Sequence, residues 1–444
     1  MSKHIHFFAF VLGGSLAWTQ TASRHLTLDE AIALALKNNS GLKIQQHKVE
    51  ASGHKADQVR AEFFPQLSNE SNLLGTVERQ RLQIPAGAFG VYPQLGPLPA
   101  QPLTVLQGGY GLFLSTTTLA QPLTQLIKLH HAWGAAQADT RIAEQDLTRA
   151  RNDVAVGVQR LYCGILIARL QSDSAALRVK AAEEDLGDTQ KAVESGSALE
   201  VAAMGKQAAK LEDEQAVLAT ENQISDLAVE LNNVLGLPLD TELDLAPPAV
   251  DTTFALTVAE STQAAVVESP EVLSAAALVE KAERGLRAAR AGYVPDVSAF
   301  VQHIYQDGVP LLSNNNGVAG LKMEWKIFDF GKRRDEVAER EAELASAREN
   351  LKRTKEAVAV DVEKAWRKVK RAEQMMQVAD EALKLRREMD RLAAEQLSAG
   401  VALSAARTEA KANLAKAEAD ALAAGLGYRL ARAELDQAMG RAAR

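Results

Sequence analysis

The chain has 444 residues, 50 Lys and Arg against 57 Asp and Glu, a formal net charge of −7, and one cysteine. That balance excludes nucleic acid as a partner, because phosphate binding needs a cationic surface. The lone Cys163 excludes an intrachain disulfide or a CxxC metal site. Length alone suggests two or three compact domains, but aromatics make up only 5% of the chain, low for compact cores.

Residues 1–22 begin with Lys3, continue through an apolar stretch from Phe7 to Leu12, and reach Ser15-Leu16-Ala17. A basic start, a short apolar segment and small residues at −3 and −1 predict a secretory signal peptide cleaved after Ala17. The segment is too short to span a bilayer. No cysteine adjoins the cleavage site, so no lipid anchor is expected. No other run of 18 apolar residues occurs, so any membrane crossing must use β-strands.

Leu26-Thr27-Leu28-Asp29-Glu30 then opens a helix, with Thr27 as N-cap and Glu30 as its capping-box partner. Pro65 stops it, since the residue before proline is pushed out of the α region. Strands are expected at about 67–83 and 104–121, around a Pro-rich loop at 85–102. Proline is absent from 123–237 and 311–444, where Ala, Leu, Glu, Lys, Arg and Gln dominate, the composition of long helix. A continuous helix from Leu123 to Glu194 would extend roughly 105 Å. Gly196 marks its reversal within a hairpin over 122–236, and 241–255 reads as a linker.

The second half follows the same order. Thr257 and Glu260 repeat the capping device, Pro295 the stop, and Gly400 the reversal within a hairpin over 329–440. Strands are expected at about 297–306 and 317–328. In the latter Ala319, Leu321, Met323, Trp325 and Ile327 alternate with Val318, Gly320, Lys322, Glu324 and Lys326, the period of a half-buried strand. Asn314-Asn315-Asn316-Gly317 reads as the turn before it. Two ungapped self-matches make the duplication explicit. Leu26–Ser68 aligns with Leu256–Ser298 at an offset of 230, with Pro65/Pro295 in register, and 117–236 aligns with 321–440 at an offset of 204. The first repeat (23–240) therefore carries 26 residues that the second (256–444) lacks. Along the last long helix, Val337, Leu344, Leu351 and Val358 recur every seven residues, as do Val362, Val369, Met376 and Leu383 after a four-residue step. Such periodicity demands a neighbouring helix.

Few residues suggest chemistry. His130 and His131 are adjacent in a helix and point apart, a poor metal pair. Cys163, beside Tyr162, Ile165 and Leu166, reads as a buried structural thiol. Tyr92, Tyr110, Tyr305 and Trp325 suit interfacial aromatic belts or the filling of strand cores. No Ser-His-Asp spacing, phosphate loop or HExxH occurs, so no enzyme, catalytic residue, metal or cofactor is expected. Four strands cannot close a barrel, and open edges are not tolerated in lipid. Two, three or four chains would pool 8, 12 or 16 strands, with the helices forming a conduit.

The duplicated order, the prolines before the strands, Trp325-Lys326-Ile327-Phe328-Asp329-Phe330-Gly331 leading into the last long helix, and the tip glycines resemble the TolC-like outer membrane factors of efflux and type I secretion. The resemblance covers nearly the whole mature chain. It implies a mainly α fold with a small β part, a homotrimer with a 12-stranded outer-membrane β-barrel, and a periplasmic α-helical barrel. It also implies hairpin tips, here Gly196 with Leu199 and Gly400 with Leu403, docking a periplasmic adaptor that leads to an inner-membrane pump of RND, ABC or MFS type. The family's tip carboxylate, about six residues after the glycine, falls here on Ala202 and Ala406. Glu194, Glu200, Glu395 and Glu409 are the nearest substitutes, either as an entrance ring or as solvated helix faces. The competing readings are a periplasmic adaptor, which should have one hairpin between β-rich halves, and a coiled-coil envelope scaffold, which leaves the amphipathic strands unexplained.

Overall fold

The computed structural model describes residues 24–75, 77–78, 80–107, 110–249, 255–307, 313–400 and 404–441. The expected signal peptide (1–22), residues 250–254 of the expected linker, and Leu403 lie outside them. In chain order the elements are β1 (Arg24–Leu26), α1 (Leu28–Asn38), α2 (Ser40–Ala61), β2 (Gln66–Gly75), β3 (Gln80–Ile84), β4 (Val91–Tyr92), β5 (Gly96–Pro97), β6 (Leu103–Gln107), β7 (Gly111–Pro122), α3 (Gln125–Glu194), α4 (Glu200–Leu235), β8 (Leu243–Leu245), α5 (Val258–Glu268), α6 (Pro270–Ala291), β9 (Asp296–Asp307), β10 (Asn315–Glu324), α7 (Lys332–Ser398) and α8 (Ser404–Ala438).

Both capping boxes form. Thr27 N donates to Glu30 Oε2 at 2.9 Å, Thr257 N to Glu260 Oε2 at 2.8 Å, and each threonine hydroxyl accepts from the glutamate N–H. The helix expected before each proline is two helices, broken at Asn39 and Ser269, equivalent positions 230 residues apart. Both leave the helical region (ψ 122° and 134°) and start the next helix by accepting from Leu42 N–H and Val272 N–H. The second helices also stop short of Pro65 and Pro295. Three consecutive i→i−3 bonds follow, Glu62 to Val59, Phe63 to Arg60 and Phe64 to Ala61, and recur at Gly292, Tyr293 and Val294. This tighter turn delivers the chain to proline in an extended state.

The chain forms two compact units. One comprises residues up to Lys43, Ala150–Ala265 and Ala359 onward, and its core buries Tyr162, Ile165, Leu231, Leu235 and Leu426 completely or nearly so. β1 and β8 pair in parallel here, Leu26 opposite Leu245, an element the sequence did not suggest. α3 lies between α4 and α8, and α8 between α3 and α7. Arg178–Asp213 (3.7 Å) and Lys210–Glu183 (2.9 Å) join α3 to α4, Arg160–Glu434 (3.0 Å) joins α3 to α8, and Arg387–Glu418 (3.6 Å) joins α7 to α8. Val362 and Val369, from the second heptad series, are fully buried.

The other unit, Ile44–Arg149 and Val266–Val358, carries an antiparallel sheet in the order β10-β9-β7-β2. Several strand expectations need correction. The strand expected at 67–83 is interrupted between β2 and β3, and the one at 104–121 between β6 and β7, so that β3 and β6 form a separate ribbon. The Pro-rich loop contains the short β4–β5 ladder. Asn315, Asn316 and Gly317 are not a turn: they pair with Tyr305, Ile304 and His303 at the start of β10. β10 ends at Glu324, so Trp325 and Ile327 are outside the strand, and every β10 residue is exposed rather than alternately buried, because the single chain supplies nothing to cover an edge strand. No described helix is long and apolar enough to cross a membrane.

Candidate functional site

Paired residues of adjacent strands project to the same face of a sheet, so the register defines both surfaces. One face carries the row Leu67, Leu119, Val301 and Ala319, with Leu321, Met323 and Val297 beyond it. The other carries Glu70, Gln302, Asp296, Lys322 and Glu324. Leu67, Val301, Leu321 and Met323 are all more than half exposed. Four polar residues on the leucine face bond one another: Asn69 Nδ2 donates to Ser115 Oγ at 3.0 Å and Thr117 Oγ1 at 2.8 Å, and Ser71 Oγ donates to Asn69 Oδ1 at 2.8 Å. The apolar row at the helical end of this face suits contact with hydrocarbon, while His303, Tyr305, Asp307 and Asn315 occupy the same face toward the other end. β2 and β10 leave both sheet edges open within the chain.

At the sheet's helical end Asp329 starts α7. Its carboxylate accepts from Gly331 N–H at 3.2 Å and Arg333 N–H at 3.3 Å, and Arg333 Nε pairs with it at 2.6 Å. The bond from the Arg333 side chain holds the Asp329 carboxyl below its ordinary range. Phe328 and Phe330 meet edge to face, centroids 4.6 Å apart, and are mostly exposed. Pro295 O accepts from Thr124 Oγ1 at 2.7 Å, which locks the start of β9 to the start of α3. Near Pro65, Gln121 Nε2 donates to Phe63 O at 2.9 Å.

The hairpin tips belong to the other unit. Gly196 and Gly400 both have left-handed backbones, φ +74° and +71°, and nothing lies within 4 Å of where a Cβ would stand. Ser197 N–H returns to Ala192 O at 2.8 Å, closing α3 in a Schellman turn. Leu199 precedes α4 and is 79% exposed, followed by exposed Val201 and Met204, neither of which sequence reasoning singled out. Leu403, its expected counterpart, lies outside the described residues. Glu194 and Glu200 are exposed and form no ion pair among the described residues. Glu395 is bonded to Arg391, whose guanidinium also takes Glu388 at 2.5 Å. Glu409 stands close enough to Lys206 to help raise its pKa, although the bond from Lys206 to Asp185 at 2.6 Å is the main cause. Among the described residues no hydrogen bond or ion pair links the four carboxylates to one another. Arg391, with acids three residues before and four after, was the legible signal for the pairing that sequence reasoning missed. Ala202 and Ala406, at the usual carboxylate positions, are exposed.

His130 and His131 stack edgewise with centroids 5.5 Å apart, and burial followed by neighbouring positive charge lowers the His131 pKa. No cluster of potential metal ligands exists among the described residues. Cys163 is buried, and burial raises its thiol to about 11.

The sequence matches the outer membrane efflux protein family over residues 31–237 and 262–441. No curated protein matches it by sequence comparison. Among solved structures it is similar to the VceC outer membrane protein of Vibrio cholerae, at 15% identity and TM-score 0.72, covering 94% of this chain and 97% of that one. The CmeC outer membrane channel of Campylobacter jejuni gives 14% identity and TM-score 0.73 over 99% and 94% of the two chains. The MtrE outer membrane channel of Neisseria gonorrhoeae, in its open state, gives 14% and 0.70 over 94% and 89%. The fold is that of these channels, and the chain belongs to the outer membrane efflux protein family, transport channels of the outer membrane with a periplasmic helical part.

Proposed function

We propose that the chain assembles as a homotrimer and serves as the exit duct of a tripartite efflux pump or type I secretion system, passing on substrates that an inner-membrane transporter delivers through a periplasmic adaptor. The observation that carries this reading is the four-stranded sheet with an apolar row across one face and two open edges. Three copies pool twelve strands, and β2 of one copy pairing with β10 of the next removes every edge, as lipid requires. Extraction of the outer-membrane fraction in mild detergent should yield a particle of three chain masses. A soluble periplasmic monomer would sink the proposal.

The tips are assigned to adaptor docking, with Leu199 as an exposed apolar anchor on the first hairpin and Gly196 and Gly400 setting the reversals. Leu403 is the matching position on the second hairpin by sequence. Leu199→Asp is expected to abolish co-purification with the cognate adaptor and to lose efflux while leaving the trimer mass unchanged. Glu194 and Glu200, exposed and without basic partners among the described residues, are the better candidates for an entrance ring than Glu395, which is bonded to Arg391. Glu194→Gln with Glu200→Gln should lower cation selectivity in planar-bilayer recordings, and unchanged selectivity removes them from the entrance.

A further inference from the structure

Between the edge strand β10 and α7 the chain projects a group of exposed aromatic and basic side chains. After Leu321 and Met323 of the apolar row come Trp325, Ile327, Phe328 and Phe330, all more than half exposed, with Phe328 at 75% and Phe330 at 92%. Phe330 has a left-handed backbone, φ +54°, a conformation that a bulky residue rarely adopts. The bonds of Asp329 to Gly331 and Arg333 hold it there, together with the Arg333 guanidinium, which donates to Lys326 O and lies 5.3 Å from the centre of the Tyr293 ring. A strained backbone that turns an aromatic ring outward has no rationale within the chain itself.

The charges of this segment are one-sided. From Trp325 to Asp335 the only acids are Asp329 and Asp335, and they are bonded to Arg333 at 2.6 Å and Arg334 at 3.1 Å. Lys326 and Lys332, on either side of the edge-to-face pair Phe328 and Phe330, are exposed and form no ion pair among the described residues. The equivalent segment of the first repeat, Gln121–His131 at the offset of 204, has no Phe, Tyr or Trp and a single lysine, Lys128. The projection therefore occurs once per chain, beside the edge strand.

We infer that this projection is a seat for anionic phospholipid in the periplasm-facing leaflet of the membrane. Phe328 and Phe330 enter the boundary between headgroups and acyl chains, and Lys326 and Lys332 take the lipid phosphate. The inference rests on the membrane-spanning sheet proposed above. Two observations choose lipid as the occupant. The projection continues the apolar row that faces hydrocarbon, and its two unpaired lysines call for anions at the level where that row ends. A neighbouring copy is the poorer fit. In a closed barrel β10 meets the start of β2, where Arg60 and Glu62 offer one charge of each sign to the two lysines.

The test uses the full chain, extracted in mild detergent and given equal amounts of phosphatidylglycerol and phosphatidylethanolamine. Native mass spectrometry should find phosphatidylglycerol retained in preference, and Lys326→Gln with Lys332→Gln should lower that preference about tenfold. Lys352→Gln with Lys355→Gln makes the same charge change roughly 30 Å further along α7 and should leave it unchanged. Glycerol phosphate in solution should not displace the lipid. In vesicles of the same two lipids, a fluorophore attached through Phe330→Cys in a Cys163→Ala background should be quenched by lipid brominated near the carbonyl end of its chains and shielded from iodide. A membrane-embedded channel that retains both lipids equally, or a label open to iodide or shielded from both quenchers as burial against a neighbouring copy requires, overturns this seat alone. A soluble monomer overturns the membrane-spanning sheet on which it rests.

Discussion

Tyr162 shows how one side chain can join distant parts of the sequence. Its ring is fully buried, and its one hydroxyl hydrogen is shared between Leu26 O at 2.8 Å and Ala246 O at 2.7 Å, tying down the ends of β1 and β8. Burial pushes the phenol up to about 12. Tyr162→Phe is expected to cost about 1 kcal/mol, read as a lower denaturant midpoint. Its neighbour Cys163, with a thiol raised by burial, should react with Ellman's reagent only after unfolding. At Glu434 burial alone would push the carboxyl up, but Lys368 and Arg160 outweigh it and hold the group below its ordinary value of 4.5. A depressed carboxyl stabilises the fold above that value, and the contribution is lost as pH falls through the depressed one. The thermal midpoint should therefore drop on acidification below pH 4.5, and Glu434→Gln should flatten that part of the profile. Thr27 and Thr257 were legible as caps because their partners lie three residues away. Tyr162 was not, because its acceptors lie 136 and 84 residues away.

Among the elements, the turns show best what a local rule can and cannot foresee. Gly196 and Gly236 are both left-handed, and sequence alone treats them alike. Gly196→Ala meets no atom and pays only the backbone strain of about 1 kcal/mol. Gly236→Ala would also place its Cβ 2.9 Å from Asn38 Cβ, where α4 ends against α1, so it should lower the thermal midpoint distinctly more. The breaks at Asn39 and Ser269 were nonetheless legible: Asn38-Asn39-Ser40-Gly41 is a cluster of turn residues, and Pro270 after Ser269 is the pair of cap and first helical residue that opens a helix. The seven-residue series on α7 was legible, but the exposed stripe of Met375, Val378, Leu385, Met389 and Leu392 on the same helix was not. Periodicity identifies a stripe without saying whether its partner lies within the chain.

At the scale of the whole molecule, the alternation of the strands makes a sharp comparison possible. Val301 and Gln302 are adjacent in β9 but lie on opposite faces. Val301→Arg, on the leucine face, is expected to cost about 2–4 kcal/mol in lipid and to abolish recovery of the channel from outer-membrane fractions. Gln302→Arg should be tolerated. The sequence by itself determined the duplication, the two long hairpins, the tip glycines and the presence of four principal strands, since each rests on spacing, proline exclusion or a cap reaching three residues. Only the tertiary structure decided that the sheet runs β10-β9-β7-β2 with both edges open, that α3 and α8 lie between α4 and α7, and that Glu395 is bonded to Arg391. Those outcomes depend on contacts between residues far apart in the chain or on the direction a side chain finally takes, and composition and periodicity carry neither.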